Sequence, residues 1–463
     1  MAKENIITID GFQNGIGASP IVGFGNMRCL NAYDEPGVIF PERETALQND
    51  SVFASHLIAG EYFDGKDHVI DDGGELYNNG GTAGAWQQIE TNFGTGRLAV
   101  WKDHLFGSVS ASVRVLDDLG NDYTINNFSA GTYGMCVAAG DDKLYIIRGN
   151  IIDKLEENSG QTFDPSNAST FTITKDVVPL PDGVSMNCVT ERLDELIVGG
   201  DNGVIYTWNM QDPLRGDDVV SAETEINMII TINNNVYLQA GAYANWYVYD
   251  GVRVYPLVRF PQSILKYFEV NLYPECVIES RGRLVFGIGG SAIDGNTGVY
   301  SVDLKTGVLV CETQPSDNTI ASDGDTEVTM LMPSQTSEDQ YYIGWSNEGD
   351  SLYALDKKFD RNNTNAGYDG DEAYLETQLI TLALGHTKTT ISFPEVRFSE
   401  QLGTGDSAKV YYRESIGDDY VLLETVDTDG LTNKVMRSLP ELRTVQLKIV
   451  LNENARLTSL ILK

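Results

Sequence analysis

An all-β chain is predicted by two observations: a strand–turn–strand unit that recurs along most of the sequence, and a C-terminal stretch of short alternating strands. The unit is clearest at residues 281–304, RGRLVFGIGGSAIDGNTGVYSVDL. Leu284-Val285-Phe286 is an apolar run too short for a helix, five glycines follow between 287 and 298, and Val299-Tyr300-Ser301-Val302-Asp303 resumes a β-rich pattern. Short runs of β-branched and aromatic residues bounded by Gly, Asn and Asp are the signature of strands joined by turns.

In chain order, residues 1–48 come first and differ from the rest of the chain. They are rich in Gly and Pro and show little alternation. Gly15-Ile16-Gly17 and Gly23-Phe24-Gly25 do not make a phosphate loop. That loop needs a strand before it, a helix after it, and a Gly-Lys-Ser/Thr or βαβ context. An extended arm that packs on a neighbour is expected instead. It carries Ile16, Ile21, Val22 and Phe24 without a core of its own, and these four are the candidate assembly residues.

The repeat occupies 49–365. Its centre is an apolar run after a polar turn, beginning at residues 69, 105, 144, 196, 236, 284 and 341, with gaps of 36, 39, 52, 40, 48 and 57 residues. Five copies add a further strand with an aromatic, as in Leu76-Tyr77, Val204-Ile205-Tyr206, Trp246-Tyr247-Val248-Tyr249, Val299-Tyr300 and Leu352-Tyr353. Each copy also has an earlier apolar run, such as Met228-Ile229-Ile230 before Asn233-Asn234-Asn235. Three to four strands in roughly 40–50 residues is the sequence form of a β-propeller blade. One blade cannot bury both faces, whereas a closed ring of blades can. The count gives a six- or seven-bladed β-propeller, because the copies at 69 and 105 are the weakest. No copy ends in Trp-Asp, the Gly-Gly pairs lack a regular spacing, and no Ser-x-Asp-x-Gly-x-x-Trp box occurs.

A polar loop, DRNNTNAGYDGDE at 360–372, comes next. Asn365 stands where a calcium loop of the EF-hand order needs glycine, so a linker is expected rather than a cation site. From 373 to 463 the pattern becomes strict alternation, as in Val410-Tyr412, Val421-Leu423 and Val445-Leu447-Ile449-Leu451. Pro394 marks a strand edge or bulge. About seven such strands predict a small C-terminal β-sandwich.

Bulk properties narrow the function. The chain has 463 residues, 67 acids against 32 bases, and a net charge of −35. Wrapping nucleic acid through its phosphates needs Lys and Arg, so that class is disfavoured. The acids sit in turns, including Asp71-Asp72, Asp117-Asp118, Asp141-Asp142, Asp217-Asp218 and Asp418-Asp419. The five cysteines, Cys29, Cys136, Cys188, Cys276 and Cys311, are far apart and form no Cys/His pair, so neither zinc nor a disulfide framework is expected. No run approaches the roughly 18 apolar residues of a membrane span. The N-terminal residues show no apolar signal region, so synthesis in the cytoplasm is expected.

The arm segment Asn14-Gly15-Ile16-Gly17-Ala18-Ser19-Pro20, with Gly23-Phe24-Gly25-Asn26-Met27-Arg28 and Glu35-Pro36-Gly37-Val38, resembles an opening found in phage structural proteins. The runs Ala408-Lys409-Val410-Tyr411-Tyr412-Arg413, Thr444-Val445-Gln446-Leu447-Lys448-Ile449 and Leu457-Thr458-Ser459-Leu460-Ile461-Leu462 look like the sandwich of propeller-bearing tail proteins of tailed bacteriophages. That resemblance implies a non-enzymatic virion component of the tail nozzle or hub class, made in the host cytoplasm. It implies a homo-oligomeric ring, hexameric by preference, that contacts an adaptor or fibre protein and lets genomic DNA pass without sequence-specific binding. An acidic channel wall would repel DNA during ejection.

Two other classes compete. Propellers host glycosidases with paired carboxylates, but 67 acids make some pair inevitable, and His56, His68, His104 and His386 show no catalytic spacing. A receptor- or glycan-binding propeller would use Trp86, Trp101, Trp208, Trp246 and Trp345 as stacking surfaces, although tryptophans beside strands more often pack blade on blade. Arg215-Gly216-Asp217 reads as a turn. No catalytic, cofactor-binding or metal-ligating residue is assigned.

Overall fold

The computed structural model describes residues 7–9, 28–30, 45–49, 51–80, 85–131, 134–179, 181, 183–211, 215–219, 224–260, 270–289, 297–305, 307–316, 326–335, 340–347, 349, 351–358, 373–377, 379–382, 388–415 and 417–463. Among the described residues every regular element is a strand, so the chain is all-β as expected. Ile16, Ile21, Val22 and Phe24 lie outside the described residues, as does the 360–372 loop.

Among the described residues, seven antiparallel four-strand arrays succeed one another, six of them meanders and the seventh completed by a strand from the start of the chain. The seven apolar runs counted in the sequence become the second strand of each: Lys66–Asp71, His104–Val109, Lys143–Arg148, Glu195–Gly200, Asn235–Ala240, Arg283–Ile288 and Tyr341–Asn347. The earlier apolar runs become the first strands: Leu57–Phe63, Ala99–Trp101, Gly134–Ala139, Met186–Arg192, Ile226–Ile232, Val277–Ser280 and Thr326–Pro333. Each first strand lies near that of the next sheet, and Thr326–Pro333 of the seventh lies near Leu57–Phe63 of the first, so the succession returns on itself in a propeller-like arrangement.

The turns between first and second strands explain the polar punctuation. Asp64-Gly65, Lys102-Asp103, Leu193-Asp194, Asn233-Asn234 and Arg281-Gly282 all have φ between 46° and 75° at both residues. Two-residue turns with both φ positive match the right-handed twist of the strands they join. Further along the second strands, glycines open room for the next sheet. A Cβ on Gly199 would come within 2.7 Å of Cys188 Sγ and Ile226 Cγ2, and one on Gly344 within 3.1 Å of Leu57 Cβ. In the 281–304 stretch, a Cβ on Gly287 would collide with both Cys276 Sγ and Val328 Cγ1 of the seventh sheet.

The seventh sheet is completed from the other end of the chain. Thr45–Asn49 pairs antiparallel with Leu352–Lys358 as its outermost strand. Residues 45–48, assigned to the arm on sequence, are therefore part of a blade-like sheet. The strand is hard to read from sequence because its alternation is inverted: Thr45 is buried and Leu47 is 45% exposed. The other described arm residues also pair within the chain. Ile7–Ile9 joins Leu457–Leu462, and Arg28–Leu30 lies between Leu309–Thr313 of the sixth sheet and Tyr374–Glu376.

Arg28–Leu30 thus carries the sixth sheet on into a ten-stranded sheet that includes Ser407–Arg413, Val421–Val426 and Thr444–Asn452. It faces a second sheet of Ile7–Ile9, Leu457–Leu462, Glu395–Phe398 and Asn433–Val435. Between them Val396, Val410, Leu447, Ile449, Leu457 and Leu460 are buried, the two-layer core of the expected sandwich. Residues 391–393 form no strand; the strand Glu395–Phe398 begins after Pro394, the strand edge marked in the sequence, where the missing N–H costs the ladder nothing.

Adjacent tyrosines fasten the seventh sheet on both sides. Tyr341 Oη donates to Glu312 Oε2 of the sixth sheet at 2.8 Å, and Tyr342 Oη donates to Asp67 Oδ2 of the first at 2.8 Å. Neighbouring residues of a strand point to opposite faces, so the pair reaches both neighbours. Asn79 Nδ2 also donates to Asp67 at 2.7 Å. Burial pushes the Asp67 carboxyl up, against the lowering influence of Tyr342, Lys357 and Asn79.

Two outcomes test this seam. Gly287→Ala should destabilise by about 1–3 kcal/mol in urea unfolding, because the interior has no slack for the added carbon. Tyr342→Phe should cost about 1–3 kcal/mol at neutral pH by removing a donor from a buried carboxylate. Because the folded Asp67 pKa is already raised, its protonated form is favoured on folding at acid pH. The cost of Tyr342→Phe should therefore shrink as denaturation midpoints are measured at progressively lower pH.

Candidate functional site

Where first strands converge, charged groups from several sheets meet across the ring. Arg97, two residues before the first strand of the second sheet, donates from Nη1 to the carbonyl of Val189 in the fourth sheet at 3.1 Å. Its Nε lies 3.6 Å from Glu275 Oε2, just before the first strand of the sixth sheet. The Glu275 carbonyl accepts from the Leu331 N–H of the seventh sheet at 3.1 Å. Glu61, in the first strand of the first sheet, has its carboxyl raised by burial. The Tyr62 N–H and Arg97 counter that rise, and Glu275 adds to it. One guanidinium therefore links the second sheet to the fourth and the sixth.

The face where first strands begin carries a second polar group. Glu327 accepts from Asn271 Nδ2 and Tyr273 Oη. His56 packs against Tyr273 with ring centroids 5.9 Å apart, and its Nε2 is 3.4 Å from Asp72 Oδ2. Beside them, Glu225, Asn227, Ala242, Asn271, Leu272 and Tyr273 line an open depression of about 480 Å³. On the same face burial pushes the Asp71 carboxyl up to about 6, helped by neighbouring Glu75, while Tyr77 Oη donates to Asp71 Oδ2 at 3.0 Å.

The remaining candidates from sequence fall into packing roles. Trp86, Trp101, Trp208, Trp246 and Trp345 are all buried, with edge contacts such as Trp86–Tyr342 at 5.7 Å and Trp101–Phe163 at 4.9 Å. Cys188, Cys276 and Cys311 are free and buried, and burial pushes the Cys188 and Cys276 thiols well up, out of the nucleophilic range. His68 is buried against Phe63, with Nδ1 3.2 Å from the Lys66 carbonyl; burial lowers its pKa to about 4, so it is neutral at physiological pH. His386 lies outside the described residues. Among the described residues no group of three or more His, Cys, Asp or Glu is placed to hold a metal ion.

Sequence reasoning missed Glu61, Arg97 and Glu275, which are far apart and share no motif. The available signal was positional: a lone charge at or just before the innermost strand of a repeat must face the axis or the blade above it.

Comparison with known proteins gives fold similarity alone. No family model matches, and no curated protein matches. Among solved structures, the chain is similar to a catalytically inactive variant of virginiamycin B lyase from Staphylococcus aureus. That match has a TM-score of 0.50 and 10% identity, over 68% of this chain and all of the other. It also matches an extracellular domain of a one-component system from B. thetaiotaomicron (TM-score 0.48, 14% identity, 79% of this chain) and a chain of a mitotic checkpoint complex (TM-score 0.48, 11% identity, 69% of this chain). The chain spans 45% of the B. thetaiotaomicron protein's matched chain. At these identities the likeness to the lyase shows a propeller-like fold and no activity.

Arg97→Ala should destabilise by about 1–3 kcal/mol at neutral pH, a value held down by the partial exposure of the pair. Glu61 has a raised folded pKa, so its ionisation opposes folding as pH rises through that value, and Arg97 offsets the effect. The loss should therefore be larger at pH 8 than near pH 4, as read from urea midpoints at both.

Proposed function

We propose that this chain is a non-enzymatic structural subunit of a bacteriophage tail, of the nozzle or hub class, built as a seven-bladed propeller followed by a β-sandwich. The observation that carries the reading is the joining of the two lobes by the arm. Three arm strands pair with the seventh sheet, the sixth sheet and the sandwich, so backbone ladders tie propeller and sandwich into one body. A part that must transmit force and hold position in a tail needs such a body.

The Arg97 contacts support the same reading. With Arg97 linking the second sheet to the fourth and sixth, in this reading DNA is not routed through a single propeller. Its path is the channel enclosed by several copies, for which a homo-oligomeric ring, hexameric by preference, is the simplest form. The chain is then a virion protein made in the host cytoplasm, meeting an adaptor or fibre protein at its ring faces. Exposed acids at Asp141-Asp142 and Asp418-Asp419 contribute to a surface that repels passing DNA.

The depression beside Asn227 and Tyr273 favours a second reading, a receptor- or glycan-binding propeller, because it is open and lined by amide and carboxylate groups.

Mass photometry and negative-stain imaging of the purified chain separate the two. The structural reading expects closed rings and no retention of duplex DNA at physiological salt. A stable monomer that binds an oligosaccharide, with binding lost in Asn227→Ala, would replace it with the second.

A further inference from the structure

We propose that Lys357 and Asn79 condense into an isopeptide bond that seals the ring at its closing seam, with Asp67 carrying the proton. Such a bond closes the ring whatever assembly the chain enters. Lys357, in Leu352–Lys358 of the seventh sheet, is the direct ladder partner of Tyr342. Residues directly opposite on antiparallel strands share a face, so Lys357 looks the same way as Tyr342, toward the first sheet. Its Nζ lies 5.1 Å from the centre of the Tyr342 ring. Tyr342 Oη donates to Asp67 Oδ2 at 2.8 Å, and Asn79 Nδ2 donates to the same oxygen at 2.7 Å. An amine from the seventh sheet therefore meets a carboxyl and a primary amide from the first around one phenol.

The three groups are nearly dry. Asp67, Asn79 and Lys357 are 3%, 7% and 8% exposed, and Trp86, Met330, Met332 and Leu355 belong to the same apolar cluster as Tyr342. Burial disfavours both charges. It pushes the Asp67 carboxyl up and the Lys357 amine down, and the attraction between them opposes each shift without reversing it. A neutral amine is a nucleophile and a protonated carboxyl is an acid, so the pocket prepares both for condensation.

Asp67 addresses each end of the exchange. Its backbone N–H donates to Asn79 Oδ1 at 3.3 Å, where negative charge develops as Nζ attacks Cγ. Its Oδ2 sits on Nδ2, the leaving nitrogen, which becomes basic once Cγ is tetrahedral. Its Oδ1 is buried with no hydrogen-bond partner among the described residues, and is open to the incoming amine. The Nζ–Cγ bond forms and the Cγ–Nδ2 bond breaks. One proton passes from Nζ to Oδ1, another passes from Oδ2 to Nδ2, and ammonia leaves. Asp67 ends as it began, and no oxidant, reductant or activating group is consumed. The Asn79 N–H, donating to the Asp67 carbonyl at 3.2 Å, keeps the amide and the proton carrier in register. The product encloses every residue between 79 and 357 in one covalent loop, so a pull on the ends of the chain bypasses most of the propeller.

Intact mass of the denatured full chain reads the bond directly. Wild type should fall short of its sequence mass by one ammonia. Lys357→Arg, Asn79→Ala and Asp67→Asn should each show their full sequence masses, whereas Lys66→Arg, a change beside Asp67, should keep the loss. Trypsin should release from wild type a branched peptide, uncut after Lys357, joined to the peptide that carries Asn79. On a denaturing gel wild type should run ahead of Lys357→Arg, because a closed loop keeps the unfolded chain compact. A wild-type chain of full sequence mass overturns the proposal, and that result needs no variant to fold. A loss of one water with a Lys357–Asp67 branch also overturns it, since Asp67 is then the acceptor. An ammonia loss that persists at the same pair in Asp67→Asn overturns the role given to Asp67.

Discussion

The structure depends on closing its ring at the seventh sheet, where strands from both ends of the sequence must meet. A propeller has no core until its last sheet packs on its first, because each sheet buries its faces only against its neighbours. Here closure uses three kinds of contact at once. Thr45–Asn49 supplies the outermost strand, Tyr341 and Tyr342 bond to carboxylates on opposite sides, and Gly287 and Gly344 let adjacent sheets approach. Glu312, buried beside Arg283, is held ionised: burial alone would raise its pKa, but Arg283, Ser301 and further bases together outweigh it and bring it below the usual carboxylate range. At Asp67 the lowering influences are outweighed, and burial dominates. The two seams of one sheet are thus electrostatically unequal.

Closure also determines what the axis can do. Innermost strands of a ring bring side chains from distant parts of the sequence within reach, and Arg97 exploits this by touching the fourth and sixth sheets from the second. A single long, planar, permanently charged side chain suits the task, since it can satisfy a carbonyl and a carboxylate in different directions. The result is a cross-brace between the second, fourth and sixth sheets.

Much of this architecture was legible in the sequence because a blade's second strand is buried on both faces. Such a strand must be a continuous apolar run, and all seven runs became second strands. The third strands of the second and third sheets, Ser112–Leu116 and Ile151–Glu157, escaped notice because charged Arg114, Asp153 and Lys154 interrupt them. Those charges are structural: Arg114 Nε donates to Asp122 Oδ1 at 2.9 Å, and Asp153 accepts from Ser129 Oγ at 2.8 Å. Thr45–Asn49 escaped for the opposite reason, with its apolar residue facing water. The axial charges were invisible because no local spacing encodes a contact made across a ring.

The same distinction bears on the charge of −35. Its acids divide into two populations with different physics. Asp153 and Asp356 are fully buried and clamp a serine of the preceding connection, Ser129 and Ser316, the latter through both its N–H and its hydroxyl at 2.7 Å. Such carboxylates are spent on holding connections between sheets and present nothing to the outside. The paired acids in turns split similarly: Asp71 is buried, whereas Asp72, Asp141, Asp142, Asp418 and Asp419 are exposed. Only the second population projects a field, and at physiological salt that field fades over about 8 Å. An acidic surface can therefore repel a polyanion only where turns stand directly against it. Function assigned to the net charge must therefore be located on particular turns.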